Sequence, residues 1–182
     1  IDRGLVGSEM CIRDRENNIA SFFNGGNIID SLTTIQSEKG DYLLDFDKYK
    51  FRNNIVVTNP NYVIESESLD YVIGQEKTYF LESTKITGDS YEIICKRGFY
   101  NGRLKRGHFL DDATINMNDR IIKGDSIFFD NEIKYASAAK NISIFDSTEK
   151  IQILGEFAEV FEKKDSAIAV SYTHLTLPTI RL

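Results

Sequence analysis

One interval governs this chain: twenty-nine residues. Ile35, Ile64, Ile93, Ile122 and Ile151 are each 29 apart. So are Tyr42, Tyr71, Tyr100 and Phe129, with Ala158 next in line, and Phe22, Phe51, Phe80 and Phe109, followed by Ala138. Ile28, Val57, Ile86, Ile115 and Ile144 form a fourth column, and Asp41, Asp70, Phe99, Phe128 and Phe157 a fifth. Several ungapped columns of one period demand a stack of equivalent units, each burying its apolar face on its neighbours. The copies run 33–61, 62–90, 91–119 and 120–148, with a partial copy at 149–169 and part of an earlier one upstream of Thr33.

Each unit is β in character. Ile, Val, Tyr, Phe and Thr dominate, and alternation is visible in Asn141-Ile142-Ser143-Ile144-Phe145. The second copy offers strands near Tyr62–Ile73 and Lys77–Thr87. Turn residues separate the strands within copies (Gly74-Gln75-Glu76, Asn101-Gly102-Arg103, Asp130-Asn131-Glu132). A second set joins copies (Asn59-Pro60-Asn61, Thr87-Gly88-Asp89-Ser90, Asn116-Met117-Asn118-Asp119, Phe145-Asp146-Ser147-Thr148). The first strand of each copy carries small or charged residues at its centre: Ser66-Glu67-Ser68, Lys96-Arg97-Gly98, Gly124-Asp125-Ser126. That pattern predicts a strand that bends and passes from one sheet to another. At two strands per copy the stack advances roughly 10 Å each time. Two all-β architectures fit: stacked antiparallel strands folded into an open, V-shaped sandwich, and a parallel β-helix with one coil per copy. Turns at both ends of each strand pair favour the antiparallel form.

The ends do not follow the period. Residues 5–15 (LVGSEMCIRDR) and 170–179 (VSYTHLTLPT) read as one transposase-library adapter, translated forward at one end and as its reverse complement at the other. The expected native part is an internal fragment, 16–169, and the segments 1–15 and 170–182 are left out of fold reasoning. That exclusion takes away Cys11, Met10, His174 and Pro178, leaving Cys95, Met117, His108 and Pro60. It leaves 18 of the 22 basic and 25 of the 28 acidic residues, an acidic balance that argues against a nucleic-acid partner.

Further stretches carry a likeness. Val57-Thr58-Asn59-Pro60-Asn61-Tyr62, Lys77-Thr78-Tyr79-Phe80, Ile94-Cys95-Lys96-Arg97-Gly98-Phe99-Tyr100-Asn101 and Gly124-Asp125-Ser126 with Phe128-Phe129-Asp130 resemble the OstA-like family, periplasmic proteins of the lipopolysaccharide-transport bridge. The motif likeness runs from about 54 to 168; upstream it rests on the period. The resemblance implies an open antiparallel β-jellyroll in the periplasm of a Gram-negative bacterium. It also implies lipid A acyl chains in an apolar groove and edge-to-edge contact with other jellyroll proteins of the bridge or with itself. Ile64, Phe80, Ile86, Ile93, Phe109, Ile115, Ile122 and Ile144 are the expected groove or core lining. The columns do not separate groove from plain core packing.

Residues suited to chemistry are sparse. His108 has no second histidine near it in sequence, and a lone Cys95 with a lone His offers too few soft ligands for zinc. Cys95 shares its repeat position with Ser66, Gly124 and Ile153, which marks a small packing residue. Asp111-Asp112 and Asp45/Asp47 read as solvated pairs; Asp111 and Asp112, being adjacent, would face opposite ways in a strand. No cofactor and no catalytic residue is expected. Three readings remain: a lipid-binding bridge module, a polymerising β-solenoid scaffold or adhesin stalk without ligand, and a polysaccharide-active enzyme on a parallel β-helix.

Overall fold

The computed structural model describes residues 5–6, 10–14, 18–30, 32–161, 166–170 and 174–176, and every structural statement concerns these. In chain order the strands are β1 Leu5–Val6, β2 Met10–Asp14, β3 Ile19–Phe23, β4 Gly26–Asp30, β5 Thr33–Ser37, β6 Lys39–Leu43, β7 Lys48–Asn59, β8 Tyr62–Val72 and β9 Lys77–Phe80. They continue as β10 Thr84–Gly88, β11 Tyr91–Cys95, β12 Arg97–Asn101, β13 Arg106–Met117, β14 Arg120–Asp130, β15 Tyr135–Asp146, β16 Ile151–Phe161, β17 Ser166–Val170 and β18 His174–Thr176. Every pairing among the described residues is antiparallel. The parallel β-helix does not form, and the enzyme reading built on it falls with it.

The long strands serve two sheets. The first sheet runs β1, β4, β5, the second half of β7, the first half of β8, β10 and β11. It continues through the second half of β13, the first half of β14, the second half of β15, the first half of β16 and β18. The second sheet runs β2, β3, β6, the first half of β7, the second half of β8, β9 and β12. It ends with the complementary halves of β13 to β16 and then β17. Both sheets meet along a line of bends, the apex of a V. β1, β2 and β18 fall in the stretches read as adapter and pair at the sheet edges. An unpaired edge accepts any backbone that offers N–H and C=O groups.

The apex has a backbone cause. Asn24-Gly25, Asn53-Asn54, Asp111-Asp112 and Lys140-Asn141 all have positive φ, between 49° and 96°. At three of these sites the pairing register jumps, between Arg52 and Ile55, Leu110 and Ala113, and Ala139 and Ile142. Two residues then face one across the pair, a bulge that turns the strand. Asn and Asp tolerate the left-handed region better than other side-chain-bearing residues. The sites recur at 29 residues; Glu82-Ser83 keeps the spacing but lacks the positive φ, and the strand is interrupted there between β9 and β10. The predicted bend residues Glu67 and Asp125 lie opposite these bulges. Asp111-Asp112, read only as solvated, is thus also a corner; Lys96 Nζ reaches Asp112 at 2.5 Å, and Arg97 pairs with Asp111. Replacing Asn53-Asn54 by Val-Val is expected to cost about 2–4 kcal/mol in urea unfolding, whereas Gly-Gly is tolerated. Equal losses for both would remove the left-handed requirement.

The period slips once. Copies are joined by two-residue turns at 60–61, 89–90 and 118–119, but the next turn takes four residues, 147–150. The fifth copy is therefore displaced by two. Ile153, not Ile151, continues the isoleucine column opposite Ile144; Val160, not Ala158, stands opposite Ala136; and Glu159, not Phe157, stands opposite Ser137. Gly155 likewise takes the position assigned to Ile153, opposite Ile142. The spacing kept its apolar matches through the slip because β strands repeat every two residues, so a shift of two preserves which face is buried.

The core lies between the sheets. On the first sheet one ladder runs Ile28, Ile35, Val57, Ile64, Ile86, Ile93, Ile115, Ile122, Ile144, Ile153, each paired with the next. Facing it, the second sheet carries Phe22, Gly40, Phe51, Leu69, Phe80, Gly98, Phe109, Ile127, Ala138, Ala158, Ala169. Two glycines, Gly40 and Gly98, each stand between two phenylalanines of this row, and at Gly40 the rings need the space. A Cβ on Gly40 would sit 2.3 Å from the Phe22 ring. Near the apex, where the sheets converge, the inward row between Ile55 and Ile142 is small: Ser66, Thr84, Cys95, Ala113 and Gly124. Ser66 Oγ and Thr84 Oγ1 satisfy each other there at 2.8 Å.

Candidate functional site: the mouth of the V

All eight residues expected to line a groove or core lie in the interior. Ile64, Ile86, Ile93, Phe109, Ile115 and Ile122 are 0% exposed, Phe80 1% and Ile144 2%. The isoleucines form the first sheet's ladder, and the two phenylalanines stack across Gly98 with centroids 6.4 Å apart. They belong to one continuous apolar cluster. The interior is filled by side chains, so access to it is decided where the two sheets end.

That place is the mouth, opposite the apex, and it is built from tyrosines. Tyr62 and Tyr91 come from the first sheet; Tyr42, Tyr49, Tyr71 and Tyr100 from the second. Tyr62 meets Tyr100 edge-on at 5.2 Å, Tyr91 meets Phe129 at 5.1 Å, and the Tyr91 and Tyr100 hydroxyls lie 3.3 Å apart. Lys134, at the tip of the β14–β15 turn, donates to Ser90 Oγ at the β10–β11 turn, 2.8 Å away. These contacts cross from sheet to sheet. Gly102 leaves room for the Tyr62 hydroxyl, which a Cβ there would approach to 2.5 Å. The arrangement suits tyrosine, whose ring is apolar and whose hydroxyl is not, at a boundary between core and water. The columns contained Tyr42, Tyr71 and Tyr100, but their place at an opening could not be read from spacing.

A recess of about 180 Å³ opens at this boundary, lined by Asn61, Tyr62, Asp89, Ser90, Tyr91, Tyr100, Gly102, Lys105, Asn131 and Lys134. Burial pushes the Tyr62 phenol up to about 12, with the Glu76 carboxylate adding to it. Burial raises Tyr91 and Tyr100 as well. The three hydroxyls therefore stay protonated throughout the physiological range. Farther along, the mouth changes character. Arg120 Nε bonds Asp146 Oδ2 at 3.0 Å, and the Asp146 carboxyl is held low by the backbone N–H of Glu149, then by Arg120 and the N–H of Thr148. A second recess of about 340 Å³ sits there beside Met117, Asp119 and Thr148.

The residues considered for chemistry lie elsewhere. His108 is on the outer face of the second sheet, its Nε2 2.7 Å from Ser126 Oγ and its ring edge-on to Phe99. Cys95 is buried near the apex, and burial, followed by the Asp111 charge, pushes its thiol up to about 12, far from a reactive thiolate.

A family model described as OstA-like protein matches residues 9–67. Over that stretch the chain is similar to OstA-like proteins. The match begins within the stretch read as adapter. It overlaps the motif-bearing region only at 54–67, so it falls mainly where the period alone carried the resemblance. The OstA-like stretch holds the copy at 33–61 and the start of the next. Strand pairing in the same phase continues from it through β15, which ties the rest of the stack to the matched part. No curated protein matches the chain.

Proposed function

We propose that this chain is a segment of a periplasmic lipopolysaccharide-transport bridge in a Gram-negative bacterium, and that lipid A acyl chains pass between its two sheets. The observation that carries the reading is an unbroken apolar ladder along the stack, enclosed by sheets that are joined by the chain at the apex and by side-chain contacts at the mouth. Magnitudes favour entry. Burying about ten methylenes releases roughly 8 kcal/mol, whereas each mouth hydrogen bond contributes about 1 kcal/mol. An acyl chain can therefore part the mouth and replace side-chain contacts with its own. Sugar and phosphate groups remain outside, which reconciles an acidic protein with an anionic glycolipid. Exposed strand edges at each end of such a stack suit edge-to-edge pairing with another jellyroll or with a second copy. In this reading residues 1–15 and 170–182 are foreign to the repeat.

The second reading is a scaffold without ligand, favoured by how completely the side chains fill the interior. Photo-crosslinking separates the two. With a benzophenone amino acid at Tyr62, Phe80 or Tyr100, labelled lipopolysaccharide is expected to form adducts, and at Phe128 on the outer face it is not. Adducts absent from all interior positions would leave the scaffold reading standing.

A further inference from the structure

We propose that the recess at the mouth seats the carbonyl groups of ester-linked acyl chains on a sugar, with the phenols of Tyr91 and Tyr100 as hydrogen-bond donors. This rests on the lipid reading and adds to it a chemical requirement at the point where chain meets head group. The Tyr91 and Tyr100 hydroxyls lie 3.3 Å apart across the two sheets. Of their two protons, one is used in that bond and the other is available to a further acceptor. The rings below lead directly into the core, through Tyr91 against Phe129 and Tyr62 against Tyr100. Above them the recess presents further donors, Lys134 and Lys105, with Ser90 and Asn131 beside them. Lys134 Nζ already reaches both Ser90 Oγ and Asn131 Oδ1 at 2.8 Å.

An acyl linkage has the matching anatomy: an apolar chain, then a carbonyl acceptor, then a polar sugar. As the sheets part to admit the chain, the phenol–phenol bond breaks. A carbonyl oxygen placed between the two hydroxyls accepts from both, so the mouth loses one hydrogen bond and gains two. An ether linkage offers the same chain but a weaker acceptor. The phenols remain protonated donors because burial raises both.

The test compares two probes on the full chain, a glucoside carrying two decanoyl esters and its didecyl ether analogue, by titration calorimetry. The ester is expected to bind about five-fold tighter than the ether. The double variant Tyr91→Phe/Tyr100→Phe keeps both rings and is expected to bring the ester-to-ether ratio close to one. Thermal melting establishes that it folds. Equal affinities in the unaltered chain, or a ratio that survives in the double variant, overturn the proposal while leaving lipid binding intact. Binding of neither probe overturns the lipid reading itself, and the carbonyl seat with it.

Discussion

Gly98→Val is expected to be the most damaging single change in the second sheet. Gly98 has φ of +147°, a conformation that side-chain-bearing residues rarely adopt. A Cβ built there would lie 2.3 Å from the His108 carbonyl oxygen and 3.0 Å from the Phe109 Cα. Those are backbone atoms of the neighbouring strand, so no rotamer change relieves the clash. Backbone strain of about 1–3 kcal/mol adds to overpacking of about 1–3 kcal/mol. The expected loss is thus about 2–6 kcal/mol, read as a lowered urea midpoint and a melting temperature reduced by roughly 10 °C. Gly98→Ala should show most of the same effect, because the clash begins at the first side-chain carbon. A melting temperature unchanged in both variants would mean that β12 and β13 separate there without cost.

Phe109→Ala is the second large expectation. Phe109 is fully buried and stacks on Phe80, and its strand neighbours on either side are Gly98 and Ile127. Glycine on one side means that few atoms can move in to fill the space. Truncation should cost about 3–5 kcal/mol, close to the upper end for a core residue. The same repeat column already holds alanine at Ala138, where Ala158 and Ile127 are its partners. There the sheets are fitted to small side chains. An alanine in place of Phe109 would instead sit where the spacing of the sheets is set by Phe80 and Phe51. A loss below about 1.5 kcal/mol, measured by calorimetry, would show that the second sheet collapses onto the first and that sheet spacing is adjustable.

Much of the architecture was readable because the repeat supplies its own control. A column such as Ile64, Ile93, Ile122 is informative through agreement between copies, and each of these proved fully buried. The bend was visible as Ser66-Glu67-Ser68 and its counterparts. Its cause sat on the opposite strand, in Asn53-Asn54 and Asp111-Asp112. Asn and Asp pairs serve turns, solvated faces and left-handed corners alike, so residue type could not choose among them. The two-residue slip at 147–150 was hidden for a different reason. A shift of one would have turned isoleucines outward and broken the pattern; a shift of two only exchanges one inward residue for the next.

The candidate site divides the same way. Period and residue type determined that the chain is all-β, that it stacks in 29-residue units, and which apolar columns face inward, because burial of a strand face follows directly from alternation. Whether an apolar column borders an opening depends on where two distant turns come together. Ser90 and Lys134 are 44 residues apart in sequence and 2.8 Å apart across the mouth. Tyr91 and Tyr100 belong to neighbouring strand segments of one copy, yet they approach each other only because the bend sends them into different sheets. The turns already favoured antiparallel pairing; tertiary structure alone decided the corner at each bulge and the row of phenols at the mouth. Both depend on which segments the bends bring together across the two sheets, and local sequence records hairpin partners but not partners across the sandwich.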